Sequence, residues 1–443
     1  MKSISKVESY NQPQPYFTLF DVDQKKVGFT DILVRWSTLY KLGVSLGYTY
    51  VHQPIICKNT TDVYNFLGFN ESFRLRLSDF LHLNNPQRQK AYKFRDFDYF
   101  SVVDSVFSPR TTVSRLKNKL VDLMFFRQYK IIDIVINEAF LAKYRVTQAS
   151  ELQQAIRQLV SQQVQNSRKK VLVRLQLRGA RQQFYRLINS QIASFPDRLD
   201  LRQSYLETKK KQHRQSSFTP DKLKLLVHIR QGDTAFIETP WKTFIPVYGN
   251  KSFTELNDPS EGGYADLIDV AEYYDFVDRF TNHLHKEQFS TVVSSDGYQK
   301  AFNLLKDNLD KFNFNAEQVA QLHHLEPLYQ KKFDIFEQFS DISCFIGETD
   351  DNLYNLIDAA LEADIIIMGF RNTLGMLLKI IANYYDLKNP PIIIELYKTR
   401  KPFDSKSLLG IDAQKAHILK VKLDDCDWKT LINRVTTLMQ SRP

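Results

Sequence analysis

Apolar stretches of strand length alternate with helix-length segments through residues 218–400, and this alternation restricts the fold more than any other feature. LKLLVHI (223–229), DIIIMGF (364–370) and PPIIIEL (390–396) predict buried strands. The segments that separate such runs have apolar residues at helical spacing, as in 269–284. Repeated strand–helix units are typical of a doubly wound parallel sheet with helices on both faces. The predicted fold class is therefore α/β.

The N-terminal region opens with the same pattern. PYFTLFDV (15–22) predicts a strand, and residues 27–52 predict a helix followed by a second strand. We predict an N-terminal α/β domain over residues 1–110, which faces the later domain across a cleft. Gly28 in the first turn leaves room for a ligand, although one glycine is not a dinucleotide fingerprint. Residues 401–443 are expected to form a closing strand and helix that pack back on the N-terminal domain.

The segment between the two α/β halves has a different composition. Residues 110–215 contain 22 Lys and Arg against 7 Asp and Glu, a net charge of +15, so the remainder of a chain with net charge +10 carries −5. The segment is rich in Gln and Leu and almost lacks Gly and Pro. It predicts a basic, mainly helical insertion at 111–217, with one short strand at VLVRLQL. The charge indicates either an anionic partner or a solvated helical face.

Other features exclude several classes of protein. Cys57, Cys344 and Cys426 are odd in number and far apart, so they predict no disulfide framework or thiolate metal cluster, and a reducing compartment is expected. The first residues lack the apolar core of a secretory signal. No window approaches the roughly 20 uninterrupted apolar residues of a membrane-spanning helix. We therefore expect a cytoplasmic protein.

Polar and charged residues follow three of the predicted strands. After the first of them the chain reads HIRQGDTAFIE, from His228 to Glu238. Arg230 offers a planar fork suited to two phosphate oxygens, and Gly232 permits a tight turn beside a ligand. Asp233 either orients Arg230 or caps the next segment. The structural alternative is an ion pair that ends the strand.

The second and third strand ends carry comparable groups. In SSDG (294–297), Asp296 either binds a hydroxyl-rich ligand or caps the helix predicted at 298–309, and the capping role is favoured. In MGFRNT (368–373), a strand runs into a helix whose first N–H groups form an anion site, and 371–373 add donors. An ordinary helix cap by Asn372 is the alternative. Together the three strand ends predict a nucleotide-diphosphate ligand.

These motifs, in this order, resemble the C-terminal half of a fucosyltransferase group. The group comprises the α1,6- and α1,2-fucosyltransferases, the NodZ-type enzymes and the protein O-fucosyltransferases. VHIRQGD (227–233) is similar to its first motif, HxRxGD, and DAALEADIIIMGFRNT (358–373) to its third. Residues 28–52 are similar to its N-terminal turn and helix. The resemblance covers 28–52 and about 220–390. It implies a GT-B-like fold of two Rossmann-like domains and inverting, metal-independent transfer.

The resemblance also implies roles for individual residues. Arg230 would contact the GDP pyrophosphate, His228 would lie beside the nucleotide, and Asp358 would bind guanine or ribose. In the α1,6 branch a Glu ten positions after the His is the proposed base, and Glu238 has that spacing. The residues predicted to bind the donor nucleotide are His228, Arg230, Gly232, Asp233, Asp296, Asp358, Phe370, Arg371, Asn372, Thr373 and Gly28. Gln231 stands where the α1,6 branch has a second Arg, and Arg371 is a hypothetical substitute for its charge.

The predicted function is inverting transfer of fucose from GDP-fucose to a glycan, lipid-linked or protein hydroxyl acceptor, with Glu238 and Arg230 as catalytic residues. No cofactor or metal is expected. One alternative is a glycosyltransferase with another nucleotide-sugar, in which an Asp-x-Asp pair (21–23, 96–98 or 425–427) holds a divalent cation. Another is a non-catalytic protein that binds nucleic acid or anionic lipid through 110–215. A transferase that docks on the inner membrane surface through that segment, with no nucleic-acid partner, is the secondary expectation.

Overall fold

The chain divides into two compact units, with the boundary between Leu199 and Asp200. The computed structural model describes these residues of the first unit: 14–19, 29–51, 129–164, 169–178, 184–185 and 187–188. In the second unit it describes 207, 209–210, 214–231, 234–248, 254–258, 267–347, 349–369, 389–398 and 417–442. Each unit is built around its own parallel sheet.

The first unit contains a parallel sheet in the order β2-β1-β4-β3. Its elements in chain order are β1 (Tyr16–Leu19), α1 (Phe29–Ser45), β2 (Thr49–Tyr50), β3 (Tyr129–Ile136), α2 (Glu138–Lys143), α3 (Ala149–Val164) and β4 (Lys170–Leu177). α1 packs closely on β1 because Gly43 has no side chain, and an added Cβ there would overlap the buried ring of Phe17. The strand, helix and strand predicted for the N-terminal region are therefore present.

Part of the segment predicted to be a helical insertion forms strands of the first sheet. β3 and β4 lie within 111–217, and β4 pairs with β1 on one side and β3 on the other. Asp133 lies opposite Arg174 in this register, with Arg174 Nε 2.5 Å from Asp133 Oδ1 and Nη2 2.8 Å from Oδ2. The short strand predicted at VLVRLQL is present as β4, whereas β3 was not predicted. Both strands belong to the first sheet, so the prediction of a separate insertion is wrong for this part.

The second unit has a six-stranded parallel sheet in the order β12-β11-β10-β5-β8-β9, and β6 and β7 form a separate antiparallel hairpin. Its elements are β5 (Leu223–Ile229), β6 (Thr234–Glu238), β7 (Phe244–Tyr248), α4 (Val270–His283), β8 (Phe289–Ser295), α5 (Gln299–Lys306), α6 (Ala316–Gln330), β9 (Ile342–Ile346), α7 (Asp350–Glu362), β10 (Ile365–Gly369), β11 (Ile392–Tyr397), β12 (His417–Lys422) and α8 (Trp428–Gln440). Counted along the chain the sheet order is 6-5-4-1-2-3, which is that of the Rossmann fold. The predicted α/β class is confirmed.

The two faces of the second sheet have separate apolar cores. Leu225 and Val227 point to the face that packs against α4, α5 and α8. Leu226 points to the other face, where it packs with Leu356 and Ala360 of α7. Because side chains alternate along a strand, both faces of β5 are buried, as its apolar sequence predicts.

The C-terminal strand and helix complete the second unit. β12 pairs with β11, and α8 contributes Leu431 and Val435 to the core on the α4 face. The rings of Phe276 and Trp428 lie 5.0 Å apart between their centroids. The strand and helix predicted in 401–443 are present, and they belong to the sheet and core of the second unit. β12 extends the sheet beyond β11, and the apolar residues of β12 and α8 therefore pack on the same core.

Ion pairs close the amino edge of the second sheet. Asp364 Oδ2 accepts a hydrogen bond from the Lys224 N–H at 3.0 Å, which joins the starts of β10 and β5. Arg442, beyond α8, donates to Asp364 Oδ1 at 2.8 Å and to the carbonyl oxygens of Asp364 and Pro390 at 2.8 and 3.1 Å. One guanidinium thereby holds the C-terminal helix to the starts of β10 and β11.

We expect Arg442→Ala to lower the free energy of unfolding by about 2 kcal/mol, because it removes charge-assisted hydrogen bonds and leaves Asp364 without that partner. Urea unfolding followed by tryptophan fluorescence measures the change. Arg434→Ala is the matched control, since Arg434 lies on α8 with an exposed side chain. Equal effects of the two substitutions would contradict the role given to Arg442.

Candidate functional site

The strand order places a topological switch point between β5 and β10. These strands are parallel neighbours, with Leu225 opposite Ile365 and His228 opposite Met368. Chain connections leave the two strands in opposite directions across the sheet, so a crevice opens beyond their carboxyl ends. Ligands of open α/β sheets bind in such crevices. The first and third predicted strand ends are therefore adjacent in space, although they are far apart in sequence.

Two polar residues, Arg230 and Gln231, follow β5, and they differ in burial. Arg230 directly follows the strand and is half-buried. Gln231 is 4% exposed, and its Nε2 donates to the Ile268 carbonyl oxygen at 2.9 Å. Gln231, which stands where the α1,6 branch has its second Arg, therefore links the end of β5 to the residues that precede α4. Arg230 remains the cation at this strand end.

His228 lies inside β5, one residue before its end, and is 1% exposed. It has the same orientation as Leu226, toward the α7 face, because side chains repeat every second residue. Its neighbours in register are Met368 of β10 and Ser294 of β8. The structure therefore brings His228 to the switch point, but as a buried residue beneath the crevice.

The end of β8 carries Asp296 and Gly297, and Gly297 lies close to Gly347 at the end of β9. Asp296 is half-buried, and α5 begins at Gln299 with Tyr298 at its N-cap position, so the favoured capping role of Asp296 is wrong. Gly297 has φ +68°, and a Cβ there would lie 3.5 Å from the backbone of Gly347, which has φ +113°. Only residues without a side chain adopt these conformations readily. The ends of β8 and β9 therefore meet closely beside Asp296.

Tyr273, which the sequence analysis did not identify, lies against the end of β10. Gly369 is the last residue of β10, and a Cβ on it would overlap the hydroxyl oxygen of Tyr273 in the first turn of α4. Burial raises the pKa of Tyr273, and the adjacent backbone of Gly369 partly opposes this rise. Tyr273 is 3% exposed. In sequence it reads as an ordinary apolar-face residue of a helix, so no local signal marks it.

Carboxylates occupy the N-terminus of α4. Asp269 Oδ1 accepts from the Ala271 N–H at 3.1 Å, and Glu272 Oε2 accepts from the Asp269 N–H at 2.8 Å, which together form a capping box. Lys332 Nζ lies 2.8 Å from Asp269, and Lys398, just beyond β11, lies 2.7 Å from Glu272. The start of α4 is therefore already satisfied by anions of the chain itself.

Glu238 lies at the far end of the first hairpin strand. Its carboxylate is 46% exposed and pairs with Lys242 Nζ at 3.0 Å, while its backbone N–H donates to the Tyr329 hydroxyl at 2.6 Å. The four residue steps from Thr234 to Glu238 span about 13 Å at strand rise. The structure thus separates Glu238 from the end of β5 by the length of a hairpin arm.

Asp358 is placed away from the switch point. It lies late in α7, which runs from the carboxyl edge to the amino edge of the sheet between β9 and β10. Asp358 is 4% exposed, with Arg214 Nε at 3.5 Å and Lys209 Nζ at 4.0 Å. Nearby, Glu362 pairs with Lys209 and with Lys224 at the start of β5. The structure does not bring Asp358 together with Arg230.

Several predicted residues lie outside the described ranges. These are Gly28, Gly232, Asp233, Phe370, Arg371, Asn372 and Thr373. The Asp-x-Asp pairs at 21–23 and 96–98 lie outside them as well. In the third pair, Asp427 caps α8, with Oδ1 accepting from the Thr430 N–H at 3.1 Å and Oδ2 from the Thr430 hydroxyl at 2.6 Å. Both oxygens of that carboxylate therefore serve the helix.

Among the described residues, no three His, Cys, Asp or Glu side chains are grouped so that they could hold a metal ion. Within the same part of the chain, no helix combines the length and the apolar character needed to cross a membrane. No protein-family model, curated protein or solved structure matches the chain. Function is therefore inferred from the strand ends at the switch point.

Proposed function

We propose that the protein is an inverting, metal-independent glycosyltransferase that takes its sugar from a nucleotide diphosphate, with GDP-fucose as the donor. The observation that carries the proposal is the pairing of β5 with β10. This pairing makes Arg230 and the end of β10 neighbours at the switch point of a Rossmann-ordered sheet. The strand ends that resemble the first and third fucosyltransferase motifs are the ones that meet there.

The charges around the switch point support a pyrophosphate position between Arg230 and the turn after β10. The start of α4 carries Asp269 and Glu272, whose carboxylates already accept hydrogen bonds from N–H groups of the first turn, so these donors are not available to an anionic ligand. Arg230 supplies positive charge on the other side of the crevice, and its planar fork suits two phosphate oxygens. Arg371, Asn372 and Thr373, which the sequence predicts at the start of a helix, would add donors.

The proposed architecture is GT-B-like, with the second unit binding the donor and the first unit binding the acceptor. Support comes from the two separate parallel sheets, each with α helices, that the chain builds in succession. The acceptor class in the proposal is a hydroxyl of a glycan, a lipid-linked glycan or a protein. Docking on an anionic membrane surface through 110–215 is a secondary part of the same proposal.

In the proposed reaction, the acceptor oxygen forms a bond to the anomeric carbon of the sugar while the bond to the β-phosphate oxygen breaks. Glu238 takes the acceptor proton as general base. Arg230 and the donors beyond β10 stabilise the charge that grows on the leaving nucleoside diphosphate. The exposed position of Glu238 on the hairpin requires the acceptor to reach the hairpin end.

Nucleotide identity is tested first by thermal unfolding of the whole chain with GDP, UDP, ADP and their sugars. GDP at about 100 times its Kd is expected to add about 2.7 kcal/mol of stability and so to raise Tm, because it binds only the folded state. UDP and ADP at equal concentration are expected to leave Tm unchanged. Equal stabilisation by UDP would contradict the GDP assignment, and no stabilisation by any nucleotide would contradict the proposed function.

Arg230→Ala is expected to weaken GDP binding by at least tenfold, because it removes the cation beside the pyrophosphate. Isothermal titration calorimetry measures the Kd, and circular dichroism checks that the fold is retained. Arg279→Ala serves as the control, since Arg279 is an exposed residue of α4. Unchanged GDP affinity in Arg230→Ala would remove Arg230 from the site.

Glu238→Gln is expected to keep GDP affinity and to lower turnover by about a hundredfold or more, the usual contribution of a general base. Release of GDP from GDP-fucose is measured with a panel of glycan acceptors. Glu287→Gln, at an exposed position before β8, controls for loss of one surface carboxylate. A normal rate in Glu238→Gln would show that another group removes the proton.

A further inference from the structure

The side chain of Tyr329 is bonded to the backbone of Glu238 at the end of β6. Its hydroxyl accepts a hydrogen bond from the Glu238 N–H at 2.6 Å and donates to the Glu238 carbonyl oxygen at 3.4 Å. Tyr329 lies in the last turn of α6 and is buried. Burial raises the pKa of Tyr329, so the hydroxyl keeps its proton and serves as both donor and acceptor. A buried side chain thus holds a residue whose own carboxylate is exposed.

The hairpin is held on both of its edges at the level of Glu238. Glu238 lies opposite Phe244 of β7. On the outer edge of β7, Phe244 exchanges two backbone hydrogen bonds with Leu256, each 2.8 Å long. On the outer edge of β6, where the described residues form no further strand, the Tyr329 hydroxyl takes the corresponding place. The backbone of Glu238 is therefore fixed, although a two-stranded hairpin alone is only marginally stable.

Three neighbours hold the ring of Tyr329. The ring centroids of Tyr298 and Phe302 lie 4.9 and 5.5 Å from its own, and Lys332 Nζ lies 4.1 Å from the centroid. Lys332 also pairs with Asp269 at the start of α4, at 2.8 Å. Ring packing and the cation above the ring leave the hydroxyl little freedom to move, and they connect it to the start of α4.

The start of α4 is also bonded to the strand end that carries Arg230. The Ile268 carbonyl oxygen, which precedes Asp269 in the chain, accepts a hydrogen bond from Gln231 Nε2 at 2.9 Å. Gln231 directly follows Arg230. The end of the hairpin and the end of β5 are therefore both held to the same helical turn, which sets their positions relative to each other.

We propose that Tyr329 is a positioning residue for the transfer reaction: its hydroxyl fixes the backbone of Glu238, and so the place from which that carboxylate takes the acceptor proton. The inference rests on the proposed function, because it needs Glu238 as the general base. Tyr329 acts through Glu238 and is not proposed to touch donor or acceptor. Ile237 is fully buried, so the side chain of its neighbour Glu238 lies on the opposite, exposed face of β6. A fixed backbone restricts the region that this carboxylate reaches, and a general base must lie within hydrogen-bond reach of its proton.

The test measures kcat and KM for GDP release with the glycan acceptors, and Kd for GDP, in wild type, Tyr329→Phe, Glu238→Gln and the double variant. Tyr329→Phe keeps the packed ring and removes only the hydroxyl. We expect it to lower kcat by about tenfold, the effect of one hydrogen bond, with Kd for GDP unchanged. In the Glu238→Gln background it should lower kcat no further, because the group that it positions is gone. Tyr274→Phe is the matched control and should leave kcat unchanged, since its hydroxyl donates to Gln338 Oε1 at 2.7 Å on the surface.

Hydrogen exchange of peptides that contain the Glu238 amide supplies a second readout, and exchange should be faster in Tyr329→Phe. A kcat that falls by the same factor in both backgrounds would show a merely structural role and overturn the inference. An unchanged kcat in Tyr329→Phe would overturn it as well. If wild type binds no GDP, or if Glu238→Gln turns over normally, the proposed donor or base has failed and the inference falls with it. These results are distinct from a wild type that binds GDP and needs Glu238 but is indifferent to Tyr329→Phe, which overturns the inference alone.

Discussion

The parallel pairing of β5 with β10 is the interaction on which the second unit depends. Positions 225 and 365 are paired although they lie 140 positions apart (365 minus 225) in the sequence, so the strand ends with candidate chemistry are neighbours only in the folded unit. The pairing divides the sheet into two halves whose connections run in opposite directions, and the crevice follows from that division. Local sequence contributes the polar groups, but the long-range pairing alone makes them neighbours.

The two edges of the second sheet use charge in opposite ways. At the amino edge, Asp364 is bonded by Lys224 and Arg442, and this network holds the strand starts together. At the carboxyl edge, the carboxylates of α4 satisfy its own N-terminus and pair with lysines. Arg230 lies at the same edge, beyond β5. The proposed anionic ligand would therefore depend on the position of a few groups and not on the net charge of the surface.

Much of the second unit follows from the sequence because its strands are short, apolar and separated by helical periodicity. The predicted strand at 223–229 coincides with β5, and those predicted at 364–370 and 390–396 overlap β10 and β11. β3 was missed because its alternating buried residues lie in a segment whose Lys, Arg and Gln content favours helix. The close approach of Tyr273 to Gly369 could not be predicted from the sequence, since it depends on where β10 ends. In the sequence, Gln231 stands where the α1,6 branch has an Arg. In the structure, its buried side-chain amide donates a hydrogen bond to the Ile268 carbonyl oxygen at the start of α4. Asp358 was assigned by motif spacing, but the direction of α7 carries it toward the opposite edge of the sheet.

The basic segment shows why charge counts and binding surfaces differ. Within the described part of 110–215, Arg174 is bonded to Asp133, Arg214 lies beside Asp358, and Lys209 pairs with Glu362. Two of these carboxylates belong to α7, far along the chain from the cations. Some of the Lys and Arg side chains of this segment are thus paired with acidic residues from elsewhere in the chain. An external anion would meet less positive charge than the net charge of +15 implies. Because paired cations gain little from a second anion, the net charge of the segment overstates how strongly it can bind one.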